Sequence, residues 1–231
     1  MASAPGSEDE GRQLGHGRSK LVASSGRDAY AWIAPCYDLL LLPWLGGMRR
    51  AAAGILSGRG VQSAVDLCCG TGAQCRELVR RGMIARGVDV SASMLRQARL
   101  KQGPYEEYFL EDAAATRFAE SSFDAALLSF ALHEKGRSEQ EALLAEARRI
   151  VRDGGLVLLI DFRPHSAVSP PFGWLVRAAE RGMGRSHYRH FKAFLQSGAL
   201  PALLSGQGLA TLETRLFTLL PAELRLAANG P

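Results

Sequence analysis

The chain has 231 residues, enough for one domain with a sizeable core, and its 47% hydrophobic and 22% charged residues are the balance of an ordinary water-soluble fold. No run of about 18 apolar residues exists, which excludes a membrane-spanning helix. The formal charge of +5 favours anionic partners, but the arginines are scattered rather than blocked, so the sequence carries no specific nucleic-acid signal.

The first 25 residues are rich in Gly, Ser, Ala and charge and lack an apolar core, so a disordered tail is expected over residues 1–25 and a single domain over residues 26–231. Glu8, Asp9 and Glu10 oppose the acid-poor composition of a mitochondrial presequence, and the expected location is the cytoplasm. Cys36, Cys68, Cys69 and Cys75 have no CxxC spacing and follow no secretory leader, which fits a reducing compartment rather than a disulfide framework.

Next comes YAWIAPCYDLLLLPWLGG, Tyr30 to Gly47, aromatic and apolar yet interrupted by Pro35 and Pro43; it reads as an N-terminal helical lid. Leu39 to Leu42 with Trp44 are too few to cross a bilayer, but suit a membrane surface or a lipid-like molecule, with Arg49 and Arg50 placed for anionic head groups. Tyr30, Trp32 and Tyr37 read equally as core aromatics.

From there the pattern alternates. Strands are expected at Ser63 to Leu67, Ala85 to Val90, Tyr105 to Glu111, Phe123 to Phe130 and Gly155 to Phe162, and helices at Cys75 to Gly82, Ser91 to Gln102 and Ser138 to Val151. Pro164 to Gly208 reads as helical and irregular, and LATLETRLFTLLPAELRLAA holds two alternating runs suited to an antiparallel pair at a sheet edge. The expected fold is therefore α/β, a doubly wound, mostly parallel seven-stranded sheet with an antiparallel edge.

The chemistry gathers at AVDLCCGTGAQ. A glycine turn between strand and helix, Gly70 and Gly72, lets backbone approach a ligand and sets that ligand at a helix N-terminus. Asp89, in GVDVS at the end of the next strand, is placed to accept from both hydroxyls of a ribose. These features point to an adenosine cofactor. GTGAQC nearly satisfies GxGxxG/A and leaves a nicotinamide dinucleotide open, but Asp66 before the turn suits a cationic amino or sulfonium group better than a pyrophosphate.

Four blocks in order, VDLCCGTG, GVDVSASML, LEDAAATRFAESSFDAALLSFALHE and EARRIVRDGGLVLLIDF, resemble the class I S-adenosylmethionine-dependent methyltransferases over roughly Tyr30 to Phe162. The resemblance implies S-adenosylmethionine as cofactor, with Asp66, Cys68, Gly70, Thr71 and Gly72 along its methionine part, Asp89 on the ribose, Val90 and Met94 beside them, Asp112 and Ala113 at the adenine edge, and Ser129 closing the site. Cys68 stands where many members have a glycine. Tyr37 would cover the cofactor, its ring facing the sulfonium. The flanks are loosely similar to ubiquinone and menaquinone C-methyltransferases, implying a small, hydrophobic, quinone- or lipid-like acceptor.

His133, in FALHE after the fourth strand, is the candidate catalytic residue: at the carboxyl end of such a strand it is expected to face the acceptor and take its proton. A hydrogen-bonded wall residue is the competing reading. His187, Tyr188 and His190 are expected to roof the same pocket or to form a solvated basic loop. The thiols of Cys68 and Cys69 read as packing, and no metal is expected. Two rival functions share the core: a methyltransferase acting on RNA or protein, which lacks here an NPPY-like motif or an added recognition domain, and a non-catalytic partner of the same fold.

Overall fold

The central strands form because each is a short run of apolar residues whose alternate side chains have a covered face on either side, whereas the edge strand at Thr211–Leu216 is polar and largely exposed. In a computed structural model of the chain, which describes residues 28, 30, 31, 34, 35, 37–164, 170–218 and 220–230, the elements run α1 (Tyr37–Gly58), β1 (Ser63–Leu67), α2 (Ala73–Val79), β2 (Ile84–Asp89), α3 (Ala92–Leu100), β3 (Glu106–Leu110), β4 (Phe123–Ser129), α4 (Arg137–Ile150) and β5 (Val151–Phe162). Then follow α5 (Pro170–Gly182), α6 (Arg185–Gln196), α7 (Ala199–Gly206), β6 (Thr211–Leu216) and β7 (Ala222–Ala228). The expected tail, Trp32 and Cys36 lie outside the described residues.

The seven strands lie in the order β3-β2-β1-β4-β5-β7-β6, with β7 antiparallel to both neighbours and β1 to β5 parallel. On β4, Ala125 and Leu127 face one core layer with Met48, Ala52, Leu56, Leu78 and Leu95 from the helices of that side. Ala126 and Leu128 face the other, with Leu143, Leu144, Phe194, Leu200 and Leu203. Burial on both faces gives the near-continuous apolar runs of a doubly wound sheet. Strand order reverses between β1 and β4, and the crevice beyond the carboxyl ends of those two strands is where such folds bind ligands.

Two expectations change. The helix at the start does not stop at Pro43: α1 continues through it to Gly58, and Met48, Ala52, Ala53 and Leu56 are buried on the sheet. Those four positions form one helical face, and their burial outweighs the one intrahelical hydrogen bond a proline removes near the helix start. Leu45, inside the expected lid, is buried with them, so the helix packs on the sheet from the end of that segment onward. Pro164 to Gly208 is helical as expected but more regular: α5, α6 and α7 occupy most of its described residues.

The RDGG turn, Arg152 to Gly155, lies inside β5 as an irregularity, since the β4 register jumps from Phe123↔Val151 to Ala125↔Leu156. Asn229, just after β7, ties it down by donating Nδ2–H bonds to the carbonyls of Arg148 and Val151 at 2.9 and 2.7 Å.

Gly87 decides how closely β2 approaches the turn after β1. A Cβ there would stand 2.7 Å from the Cys69 Sγ and 2.7 Å from the Tyr108 ring, both buried. Gly87→Ala should therefore cost about 1–3 kcal/mol of stability, the usual range for overpacking. Urea unfolding measures it, and a change under about 0.5 kcal/mol would mean that the turn has slack.

Candidate functional site

Beyond the carboxyl ends of β1, β2 and β4 lies a cleft of about 860 Å³. Of the residues expected there, Cys68, Gly70, Asp89, Val90, Met94, Asp112, Ala113 and Ser129 line it. A narrower recess, about 60 Å³, shares Cys68, Gly70, Ser129 and Phe130 with the cleft and adds Asp66, Thr71, Gln74 and Arg49. Gly72 lines neither; it is the left-handed N-cap of α2, with φ 71°, and any Cβ would collide with Tyr108. Tyr37 opens α1, but its side chain lies outside the described residues.

The turn is shaped around Asp89. Its Oδ2 accepts from the Gly70 N–H at 2.7 Å and its Oδ1 from the Ser91 N–H at 2.8 Å, so one carboxylate holds the glycine loop and the start of α3 together. Burial raises its pKa, and those two N–H groups pull it part of the way back. Ser91 caps α3, as its position predicts, by accepting from Met94 N at 3.1 Å. Cys68 and Phe130, at the ends of β1 and β4, both have left-handed backbones with φ 65° and 54°. That conformation is disfavoured for non-glycine residues and concentrates at ligand sites.

Asp66 is 2% exposed. Its Oδ1 has no hydrogen-bond partner among the described residues, and Gln74 Oε1 and Ser129 Oγ, in the same recess, have none either. Burial pushes the Asp66 carboxyl up to about 7; the Arg49 guanidinium offsets part of that rise and the Asp89 charge adds to it. Three orphaned polar atoms around one small recess form a site that lacks its donors. Arg49, which the sequence offered for anionic head groups, lines this recess.

Two straps over the cleft left no clear mark in the sequence. Asp28 accepts from Ser91 Oγ at 2.9 Å, Ser93 N at 3.0 Å and Ser93 Oγ at 2.7 Å, and Tyr30 donates its hydroxyl to Glu134 on the opposite wall. Asp38, in the first turn of α1, accepts from Thr71 Oγ1 at 2.5 Å and pairs with Arg76 at 3.1 Å and Lys101 at 3.0 Å. The Thr71 hydroxyl is thus engaged by α1. Glu134, Lys135, Ser138 and Glu139 complete the far wall of the cleft.

His133 follows β4 at its carboxyl end, as expected, and its surroundings are those of the hydrogen-bonded wall residue that competed with the base. It is 4% exposed and does not line the cleft. Its Nδ1 lies 2.7 Å from Asp161 Oδ1, and the Leu132 and His133 N–H groups both donate to Asp161 Oδ2, so the end of β5 fixes the ring. Its Nε2 faces Glu180 of α5 at 3.5 Å. Burial alone would lower its pKa, but Asp161 and Glu180 outweigh that and hold it at about 10. A ring so charged is a poor proton acceptor at neutral pH. His187 and His190 pack with the same group, on Glu180 and on the Glu134 carbonyl, and do not roof the cleft.

Residues 65–159 match a family model described as "Methyltransferase domain". Over 130 residues the chain is 33% identical to a demethylmenaquinone methyltransferase of Corynebacterium kroppenstedtii, covering 54% of this chain and 55% of the relative. Over 143 residues it is 32% identical to a ubiquinone/menaquinone biosynthesis C-methyltransferase of Cupriavidus taiwanensis, covering 56% and 57%. The match thus spans little more than half the length of these relatives. Among solved structures, an O-methyltransferase family protein from Burkholderia thailandensis superposes with TM-score 0.66 at 16% identity, covering 85% of this chain and 59% of that one. Human N-acetylserotonin methyltransferase in complex with S-adenosylmethionine gives TM-score 0.63 at 16% identity, covering 87% and 56%. Residues 65–159 thus match a methyltransferase domain, and the fold around them is the one that solved S-adenosylmethionine-dependent methyltransferases share.

The Asp66 carboxyl generates a pH test. Its folded pKa of about 7 lies above the ordinary 3.8, so the folded state binds the extra proton between those values. The cofactor-free protein therefore keeps full stability from this group below about pH 4 and loses it as pH rises through about 7, by on the order of 4 kcal/mol at most. Asp66→Asn removes the titration. Urea unfolding at pH 4 and pH 8 should show the parent losing ground to the variant; parallel curves would mean that Asp66 is ionised throughout.

Proposed function

We propose that the protein transfers the methyl group of S-adenosylmethionine to a small, apolar, quinone- or phenol-like acceptor. The observation that carries the cofactor reading is the recess with its three unpartnered polar atoms. A buried carboxylate, an amide oxygen and a hydroxyl suit the cationic amino end of that cofactor; an anionic pyrophosphate would add repulsion against Asp66. Arg49 in the same recess suits the cofactor's carboxylate. In this reading Asp89 lies on the ribose, with Val90, Asp112 and Ala113 around the adenine. The apolar acceptor rests on the two quinone methyltransferase relatives and on the apolar side chains of Phe130, Ala142 and Leu143 in the cleft.

When bound, S-adenosylmethionine supplies an electrophilic methyl group on a positive sulfur. The chain's part is alignment and exclusion of water: the Asp89-braced glycine loop fixes one reactant, and the straps from Asp28, Tyr30 and Asp38 close over it. With His133 held charged by Asp161 and Glu180 and no imidazole among the described residues lining the cleft, an acceptor that is already anionic or enol-like suits the site best. Among the described residues Cys68, Cys69 and Cys75 are free thiols, which supports a reducing, cytoplasmic setting, and no helix there is long and apolar enough to cross a membrane.

Calorimetry should show S-adenosylmethionine binding in the micromolar range, about −8 kcal/mol, and tighter than NADH. With methyl-labelled cofactor, label should pass to reduced quinones or phenols. Preference for NADH would overturn the cofactor; label passing only to RNA or protein would overturn the acceptor.

A further inference from the structure

Outside the cleft, the described residues bring together one group that methyl transfer does not use. His133 Nε2, Glu180 Oε2 and His187 Nε2 lie within 4.8 Å of one another, on the loop after β4, on α5 and on α6. Both imidazoles present the same nitrogen to the same carboxylate oxygen, at 3.5 Å from His133 and 2.5 Å from His187. Both turn the other nitrogen to a second carboxylate: His133 Nδ1 to Asp161 at 2.7 Å, His187 Nδ1 to Glu134 at 3.7 Å. Imidazoles that ligate metals are oriented in this manner, each ring held by an outer carboxylate so that its inner nitrogen points at the ion.

We propose that His133, Glu180 and His187 bind one divalent transition-metal ion, with Asp161 and Glu134 orienting the two rings. Two imidazole nitrogens and one carboxylate suit zinc, cobalt or ferrous iron, and not magnesium or calcium, which take oxygen ligands. Bonds of about 2.0–2.1 Å around a tetrahedral ion set neighbouring ligand atoms about 3.3 Å apart. The His133–Glu180 separation already matches, and His187 needs to move off Glu180 by under about 1 Å. Three protein ligands leave a position for water, and the ion fastens α5 and α6 to the ends of β4 and β5, one residue behind the cleft wall at Glu134. The expectation of no metal, made from spacing alone, missed it because the ligands are separated by 47 and 7 positions and meet only in the fold.

The test uses the full chain after chelator treatment, with Co²⁺ and Zn²⁺ as probes, read by equilibrium dialysis with metal analysis and by Co²⁺ visible absorption. One ion per chain is expected, with a rise in melting temperature. Glu180→Gln and His187→Ala, both at partly exposed positions, should each weaken binding at least tenfold while the circular dichroism stays that of the parent. Less than stoichiometric binding to the parent would overturn the site. So would binding that survives in both variants, since that would put the ion on the thiols or elsewhere. Because the readout is metal content, failure here leaves the methyl-transfer reading untouched.

Discussion

The carboxylate of Asp66, buried near the end of the central strand with one oxygen unpartnered, is the constraint on which the site depends. Burial of an acid without donors is costly, and the protein does not relieve it: Cys75 offers only a long thiol contact at 3.9 Å, and Arg49 acts through space. The group is left for something cationic to complete. Around it the chain bends into otherwise unfavourable shapes, with left-handed Cys68 and Phe130 on adjacent strands held by pairing to β2 and β5. Cys69 N bonds to Val88 O at 2.9 Å and Phe130 N to Ile160 O at 2.8 Å, so each turn is fixed by the strand beside it.

A second tier of acids sets the distance between the cleft walls. Asp89 ties the glycine loop to α3, Asp28 ties the N-terminal strap to the same helix start, and Asp38 ties α1 to Thr71. Hydrogen bonds outweigh burial at Asp28 and Asp38 and hold both acids below the usual carboxylate range. These two stay ionised where Asp66 does not. The contrast follows from donors: Asp28 and Asp38 are met by hydroxyls, N–H groups or cations, whereas at Asp66 burial outweighs the Arg49 charge and the long Cys75 contact.

The sheet was legible because its strands are short apolar runs between turns; Ser63 to Leu67 comes out residue for residue, and the Ser91 cap sits where local chemistry puts it. The glycine loop and Asp89 were legible because their spacing is itself local. Pro43 misled, since propensity weighs a proline more than the burial of Met48 and Leu56 that carries the helix past it. His133 was legible only in part. Strand position says which end a residue occupies, but Asp161, 28 positions away, decides which way the ring turns. Asp28, Tyr30 and Asp38 are equally silent in sequence, because their partners lie on separate elements.

The most direct measurement is the number of protons exchanged when S-adenosylmethionine binds, obtained by calorimetry near pH 6 in buffers of different ionisation enthalpy. If the cofactor's ammonium completes Asp66, the carboxyl gives up its proton on binding: most of one proton is released per cofactor by the parent, and none by Asp66→Asn. Proton-neutral binding by the parent, or the same release from the variant, would contradict the pairing of this buried acid with the cofactor.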